Sequence, residues 1–238
     1  MKTKFTFKSE TLLKFCKARP VPYALKPKIE QELRNLQDQG IIKAVDNSEW
    51  ATPIVPVLKK NGSKVRICGD FKVTINPQLI VDQYPLPRIE DIFASLSGGK
   101  RFTKIDLRNA YLQLEVADEH QEYLTINTSL GLFRYTRMCF GVASAPAIWQ
   151  RTIDQVLSGL SGVRCILDDM IVTGNSDEQH LANLEKVLKR LSEYNFKANL
   201  EKCEFFKKLV QYCGYEIDSD GLHKMADNVE SACVKRSY

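Results

Sequence analysis

Apolar residues recur at helical spacing at Ile29, Leu33 and Leu36, and the run stops at Gly40, which predicts a helix over 26–39. Two β-rich runs between Ile54 and Ile67 flank Lys60-Asn61-Gly62-Ser63, and Asn-Gly between such runs predicts a hairpin, here with a basic tip. Ile89, Ile92, Phe93 and Leu96 mark a second helix closed by Gly98-Gly99, and a strand follows from Phe102 to Asp106. A second hairpin is expected over Thr125 to Tyr135, turning near Ser129-Leu130-Gly131, with a helix after Ser144 that tolerates Pro146 in its first turn. A strand from Val163 to Leu167 leads through Asp168-Asp169 into Met170-Ile171-Val172. Ser176 and Gln179 then stand at capping-box spacing before Leu181, Leu184, Leu188 and Leu191, a long amphipathic helix. A final strand pair lies around Phe205 to Ile217. This order predicts an α+β fold with an antiparallel sheet, best fitted by a split βαββαβ core.

Composition supports a packed chain: 44% of the 238 residues are hydrophobic and 26% charged, which excludes a disordered segment and a disulfide-stapled miniature. No apolar run nears the ~20 residues of a membrane span, and the lysines at the N-terminus precede no apolar signal segment. The chain is therefore expected to be soluble and intracellular, not secreted, with no membrane partner. The net charge of +5 is uneven, because the first 60 residues hold 12 basic against 6 acidic groups. That suggests a polyanionic partner, although on charge alone a solvated basic face is the simpler reading. The seven cysteines are scattered outside any zinc or redox spacing and read mostly as buried free thiols. His120, His180 and His223 lie far apart and read as surface residues.

Asp168 and Asp169 break an apolar stretch with no Gly, Asn or Pro beside them, where a plain hairpin turn would carry Asp-Gly or Asn-Gly. A divalent cation would relieve their repulsion, and Mg²⁺ takes one or two carboxylates together with substrate phosphate oxygens. Asp106, ending the strand Phe102-Thr103-Lys104-Ile105, is the candidate third carboxylate, its alternative role being an N-cap. In a split βαββαβ sheet that strand and the Asp168-Asp169 hairpin can be neighbours. The set would then serve two-metal phosphoryl transfer, with a solvated turn as the alternative.

The same residues carry an extended resemblance to the reverse transcriptase segment of gypsy-type LTR retrotransposon polyproteins. It runs from about Phe15-Cys16-Lys17-Ala18-Arg19-Pro20-Val21-Pro22 through Ser48-Glu49-Trp50-Ala51-Thr52-Pro53, Arg66-Ile67-Cys68-Gly69-Asp70-Phe71, Lys104-Ile105-Asp106-Leu107-Arg108-Asn109-Ala110-Tyr111, Phe140-Gly141-Val142-Ala143-Ser144-Ala145-Pro146, Asp168-Asp169, Asn199-Leu200-Glu201-Lys202-Cys203 and Gly214-Tyr215-Glu216-Ile217 to about Lys224. The resemblance implies a right-hand polymerase with a palm, a basic fingers hairpin, and an RNA-directed DNA polymerase activity. Such an enzyme adds a dNTP to a primer 3′-hydroxyl on an RNA or DNA template, with Mg²⁺, or Mn²⁺ in its place, held by Asp106, Asp168 and Asp169. It further implies that Lys59, Arg66, Tyr111, Phe140, Gly141 and Lys202 contact the dNTP, Tyr111 by sitting under the sugar. Asp70, Phe71, Asn76, Gln150, Ile166, Gly214 and Tyr215 match template or primer positions, with core packing the alternative for Phe71.

By the same resemblance, residues 1–45 form an N-terminal extension with the first helix, 46–224 the fingers and palm, and 225–238 a divergent, truncated tail. The family usually has Tyr where Ile166 stands, so primer placement is expected to be weakened; it has Pro at Cys139 and Leu at Cys213, where cysteine packs as a small apolar residue and the change is expected to be mild. Thumb-like, ribonuclease H and integrase portions are not matched, so weak, salt-sensitive duplex binding and a protein partner supplying a thumb are expected. The alternative to an active polymerase is a catalytically silent nucleic-acid-binding retroelement remnant.

Overall fold

The structure, a computed structural model, describes residues 2–9, 11–58, 62 and 64–224. Lys59, most of the predicted hairpin tip and the expected tail over 225–238 lie outside the described residues. Four α-helices form where the apolar spacing places them: α1 Lys26–Asp38, α2 Ile89–Leu96, α3 Ala145–Leu157 and α4 Asp177–Glu193. Proline sits in the first turn of α1, where its missing N–H has no helical partner to lose. At the start of α4 the Ser176 hydroxyl accepts a hydrogen bond from the Gln179 N–H at 3.3 Å, as the capping spacing predicts.

The strands before α3 are β1 Lys2–Thr3, β2 Ile42–Val45, β3 Thr52–Leu58, β4 Val65–Gly69, β5 Arg101–Asp106, β6 Glu115–Val116, β7 Thr125–Thr128 and β8 Gly131–Tyr135. Those after it are β9 Val163–Ile166, β10 Asp169–Gly174, β11 Glu204–Lys207, β12 Val210–Tyr212, β13 Tyr215–Asp218 and β14 Gly221–Lys224. They belong to two compact units, one drawn from the chain up to Tyr84 and Asn109–Trp149, the other from Pro85–Arg108 and the chain from Gln150 onward.

The first unit holds a five-stranded sheet in the order β2-β8-β7-β3-β4. The predicted hairpins are its β3–β4 and β7–β8 pairs, and β3 and β7 are joined in parallel. Ile29, Leu33 and Leu36, the apolar face of α1, are buried together with Trp50, Ile67, Phe71 and Tyr135. The N-terminal strand β1 pairs with β6, and beside it the Phe5 N–H donates to His120 Nδ1 at 2.7 Å.

In the second unit β5, α3 from Gln150 onward, β9, β10, α4 and β11 follow one another, and their strands form one sheet in the order β11-β5-β10-β9 with every pair antiparallel. This is the split βαββαβ core predicted. One face carries the cluster Ile92, Leu96, Phe102, Ile171, Val210, Tyr212 and Ile217. On the other, α4 is fixed by His180 Nε2 to Thr103 Oγ1 at 2.8 Å and by the Asn183 amide donating to the Thr173 carbonyl at 2.8 Å.

Three expectations change. The final strand pair is instead a strand on the main sheet, β11, followed by a separate three-stranded sheet β12-β13-β14. His180 is fully buried, because a helix packed on a sheet can bury an imidazole whose ring is held by a threonine. Of the six described cysteines only Cys139 and Cys165 are fully buried, the others being partly exposed.

Candidate active site

Strand β9 ends one residue earlier than its apolar run, at Ile166, and Leu167-Asp168 form a two-residue turn between the paired Ile166 and Asp169. Leu167 has φ of 51°, a left-handed conformation that costs a branched side chain about 1–2 kcal/mol. The surroundings over-determine it. The Leu167 N–H donates to Gln150 Oε1 at 2.9 Å, and the Leu107 N–H donates to the Asp168 carbonyl at 3.3 Å. A turn without glycine is thus pinned from α3 and from the end of β5.

The strand register places Asp169 directly opposite Asp106 across β10 and β5, and opposite pairs share a face. Asp168 projects from the adjoining turn and is exposed. Asp106 and Asp169 thus share a face at one end of the sheet, and Asp168 stands in the turn that adjoins them. Their counter-charges are lysines: Lys202 Nζ lies 3.4 Å from Asp106 Oδ2, and Lys104 Nζ lies 3.5 Å from Asp169 Oδ1. Among the described residues no group of three or more His, Cys, Asp or Glu side chains is placed so that it could hold a metal ion. Two or three carboxylates open to a ligand are the donor set Mg²⁺ accepts when phosphate oxygens complete its shell.

Gln150 is fully buried. Its amide donates to the Cys165 carbonyl and to Asp154 Oδ1, both at 2.9 Å, while its oxygen holds Leu167. All of its groups are engaged in shaping the turn, so the expected template contact gives way to a positioning role. Ile166 is half-buried against the apolar cluster. Cys213-Gly214 form the two-residue turn between β12 and β13, at φ of 51° and 83°, as a tight hairpin with matching twist requires. Tyr215 packs its ring edge-on against Phe93 at 5.3 Å. The Tyr212 hydroxyl donates to the Asp169 carbonyl at 3.1 Å, and burial raises its pKa well above the usual phenol range.

In the first unit the Arg66 guanidinium lies 4.5 Å over the Phe140 ring, and Tyr111 meets that ring at 5.3 Å and Trp149 at 6.2 Å. The sequence-predicted Arg66, Tyr111 and Phe140 thus form one cluster. Gly141 has φ of 97°, and a Cβ there would lie 2.6 Å from the Gly69 carbonyl, so only glycine fits. Asn76 donates to the Gly141 carbonyl at 2.8 Å and accepts from the Ala143 N–H at 2.9 Å. Asp70 is paired with Arg19 at 2.7 Å. Phe71 is fully buried, so of its two readings the structure shows core packing, and its ring offers no face to a base. Asp70 and Asn76 likewise spend these polar groups inside the unit.

A family model described as reverse transcriptase (RNA-dependent DNA polymerase) matches residues 58–217, more than half of the chain and every site residue named above. The chain belongs to this family. This reverse transcriptase segment is 36% identical over 214 residues to the retrovirus-related Pol polyprotein from transposon opus and 31% identical over 225 residues to that from transposon gypsy, both of Drosophila melanogaster. An uncharacterised protein of Caenorhabditis elegans is 41% identical over 221 residues. The segment covers 87%, 91% and 92% of itself in these matches but only 21%, 21% and 17% of the relatives' lengths. Among solved structures it is similar to the foamy viral protease-reverse transcriptase in complex with RNA/DNA hybrid, with a TM-score of 0.85 at 22% identity over 94% of this chain and 30% of that one. That likeness establishes the fold of the reverse transcriptase polymerase fingers and palm.

Lys104, Gln211 and Tyr212 were not singled out by sequence reasoning, although Lys104 stands two residues before Asp106 and hence on the same strand face.

Proposed function

We propose that this reverse transcriptase segment catalyses template-directed transfer of a deoxynucleotide from dNTP to the 3′-hydroxyl of a primer paired with an RNA or DNA template. The observation that carries the proposal is the pairing of Asp106 with Asp169 across β5 and β10, beside a strained turn that presents Asp168. Asp106, Asp168 and Asp169 hold Mg²⁺, for which Mn²⁺ can substitute. When bound, the ion lowers the pKa of a hydroxyl nucleophile and neutralises charge on the transferring phosphoryl group.

The protein's part is placement. Gln150 and Leu107 fix the turn, so that the carboxylates need no reorganisation when substrate arrives. Arg66 offers the planar donor fork suited to phosphate oxygens, and its stacking on Phe140 holds that fork in one orientation. Lys59 and Lys202 add cationic charge toward the triphosphate. Tyr111, wedged between Phe140 and Trp149, lies under the sugar and excludes a 2′-hydroxyl by bulk. Gly141 lets the backbone approach the nucleotide. Ile166 and the Gly214-Tyr215 turn face the primer end, and Asp70 and Asn76 shape the template side through the bonds described above.

The test is incorporation of labelled dTTP on oligo(dT) annealed to poly(rA), with and without Mg²⁺. The proposal predicts metal-dependent incorporation of dTTP and exclusion of UTP. Metal-independent incorporation, or equal use of UTP, would contradict it.

A further inference from the structure

We infer that Lys104 is a positioning residue that occupies the Asp169 carboxylate and competes for it with a divalent cation, so that it sets the metal affinity of the site. The inference rests on the metal-binding reading of Asp106, Asp168 and Asp169.

Alternation along β5 puts Lys104 on the same face as Phe102 and Asp106, the face that carries the apolar cluster. A lysine there must pair its ammonium, since an unpaired charge beside apolar side chains is strongly disfavoured. Its side chain is only 21% exposed. Its neighbour across β11 is Glu204, a carboxylate on the sheet edge, yet the ammonium turns inward. It lies 3.5 Å from Asp169 Oδ1 and donates to the Gln211 carbonyl at 3.2 Å. Gln211 adjoins Tyr212, whose hydroxyl bonds the Asp169 main chain. The ammonium is thus anchored at a fixed place by β12, one side-chain step from the carboxylate, and a cation arriving at Asp169 meets it as a like charge.

The competition has a direction that a purely structural role lacks. Removing the ammonium leaves Asp169 open and takes away repulsion, so Mn²⁺ should bind more tightly, whereas damage to the fold would weaken binding. A partly exposed charge pair supports an effect of about three- to fivefold. Lys104→Met keeps the length of the stem, Lys104→Gln keeps a donor for the Gln211 carbonyl, and Lys104→Arg keeps the charge.

The experiment is titration of the whole chain with Mn²⁺ alone, reading free ion by electron paramagnetic resonance. Tighter binding in both Lys104→Met and Lys104→Gln, with Lys104→Arg near the starting value, is the expected result. Unchanged or weaker binding in both neutral variants overturns the inference. Asp106→Asn separates the two levels: if it leaves Mn²⁺ binding unaltered, the metal-binding reading itself fails and the inference falls with it. If it abolishes binding while Lys104→Met has no effect, only the inference fails.

Discussion

Replacing Gln150 with leucine removes the clamp on the Leu167-Asp168 turn while keeping the volume of a fully buried side chain. Three hydrogen bonds disappear, to Leu167 N–H, the Cys165 carbonyl and Asp154. Leucine satisfies none of these groups. A buried donor or acceptor left unpaired costs about 1–3 kcal/mol, so losing the two backbone partners should destabilise the turn by roughly 2–6 kcal/mol. The cost falls on a residue already held at φ of 51°, so the turn is expected to relax and carry Asp168 out of place.

Amide hydrogen exchange reads this at Leu167 itself. With even about 2 kcal/mol of protection lost, its amide should exchange roughly 30-fold faster, since each 1.4 kcal/mol is tenfold. Gln150→Glu keeps an acceptor for Leu167 but turns a carboxylate toward the Cys165 carbonyl and Asp154, so it should be at least as damaging. Both variants should lose nucleotide incorporation while the first unit's amides stay protected. Unchanged exchange at Leu167 in Gln150→Leu would refute the reasoning.

Ile166→Tyr restores the phenol usual in the family beside the apolar cluster, and one added hydrogen bond at the primer end predicts a roughly two- to tenfold gain in primer extension rate. An unchanged rate would mean that Ile166 does not limit primer placement. His120 accepts the Phe5 N–H through Nδ1, so that nitrogen must be unprotonated, and burial, with a smaller contribution from Lys4, lowers its pKa against the opposing pull of Glu119. With the folded pKa below the unfolded value of about 6.5, the stabilisation is present above that pH and is lost as pH falls through the folded pKa. Phe5 amide protection, corrected for intrinsic exchange, should therefore drop between pH 7.5 and pH 5, and in His120→Ala it should be low at both.

The second unit was largely legible, because its periodicities are strong and its order of elements admits few topologies. Asp168-Asp169 stood out because two charges interrupt an apolar run without a turn-forming residue, and the neighbouring strand made Asp106 their partner. The clamp was not legible: Gln150 lies 17 residues before Leu167, and nothing local marks a glutamine on a helix as the acceptor for a distant turn. The same limit applies to β11, which pairs with β5 about a hundred residues away, and to His180, whose burial depends on Thr103 in another element. In the first unit, β2 is four residues long with one fully buried side chain, too short to show a period. Phe71 could be read as a surface aromatic or as core, and only packing beneath Gly69 and Gly141 decides between them.

The central claim is that Asp106, Asp168 and Asp169 act as one metal-binding set for nucleotide transfer. Primer extension on an RNA template with Mg²⁺, comparing the chain with Asp168→Asn and with Asp106→Asn, tests it most directly. Asparagine keeps the size of each side chain and removes the charge that holds the cation. The account predicts that either change lowers the extension rate by about a hundred- to a thousandfold, the scale of removing charge stabilisation at a transferring group, while binding of the RNA/DNA hybrid is retained. Extension in Asp168→Asn at a rate close to that of the unchanged chain would contradict it.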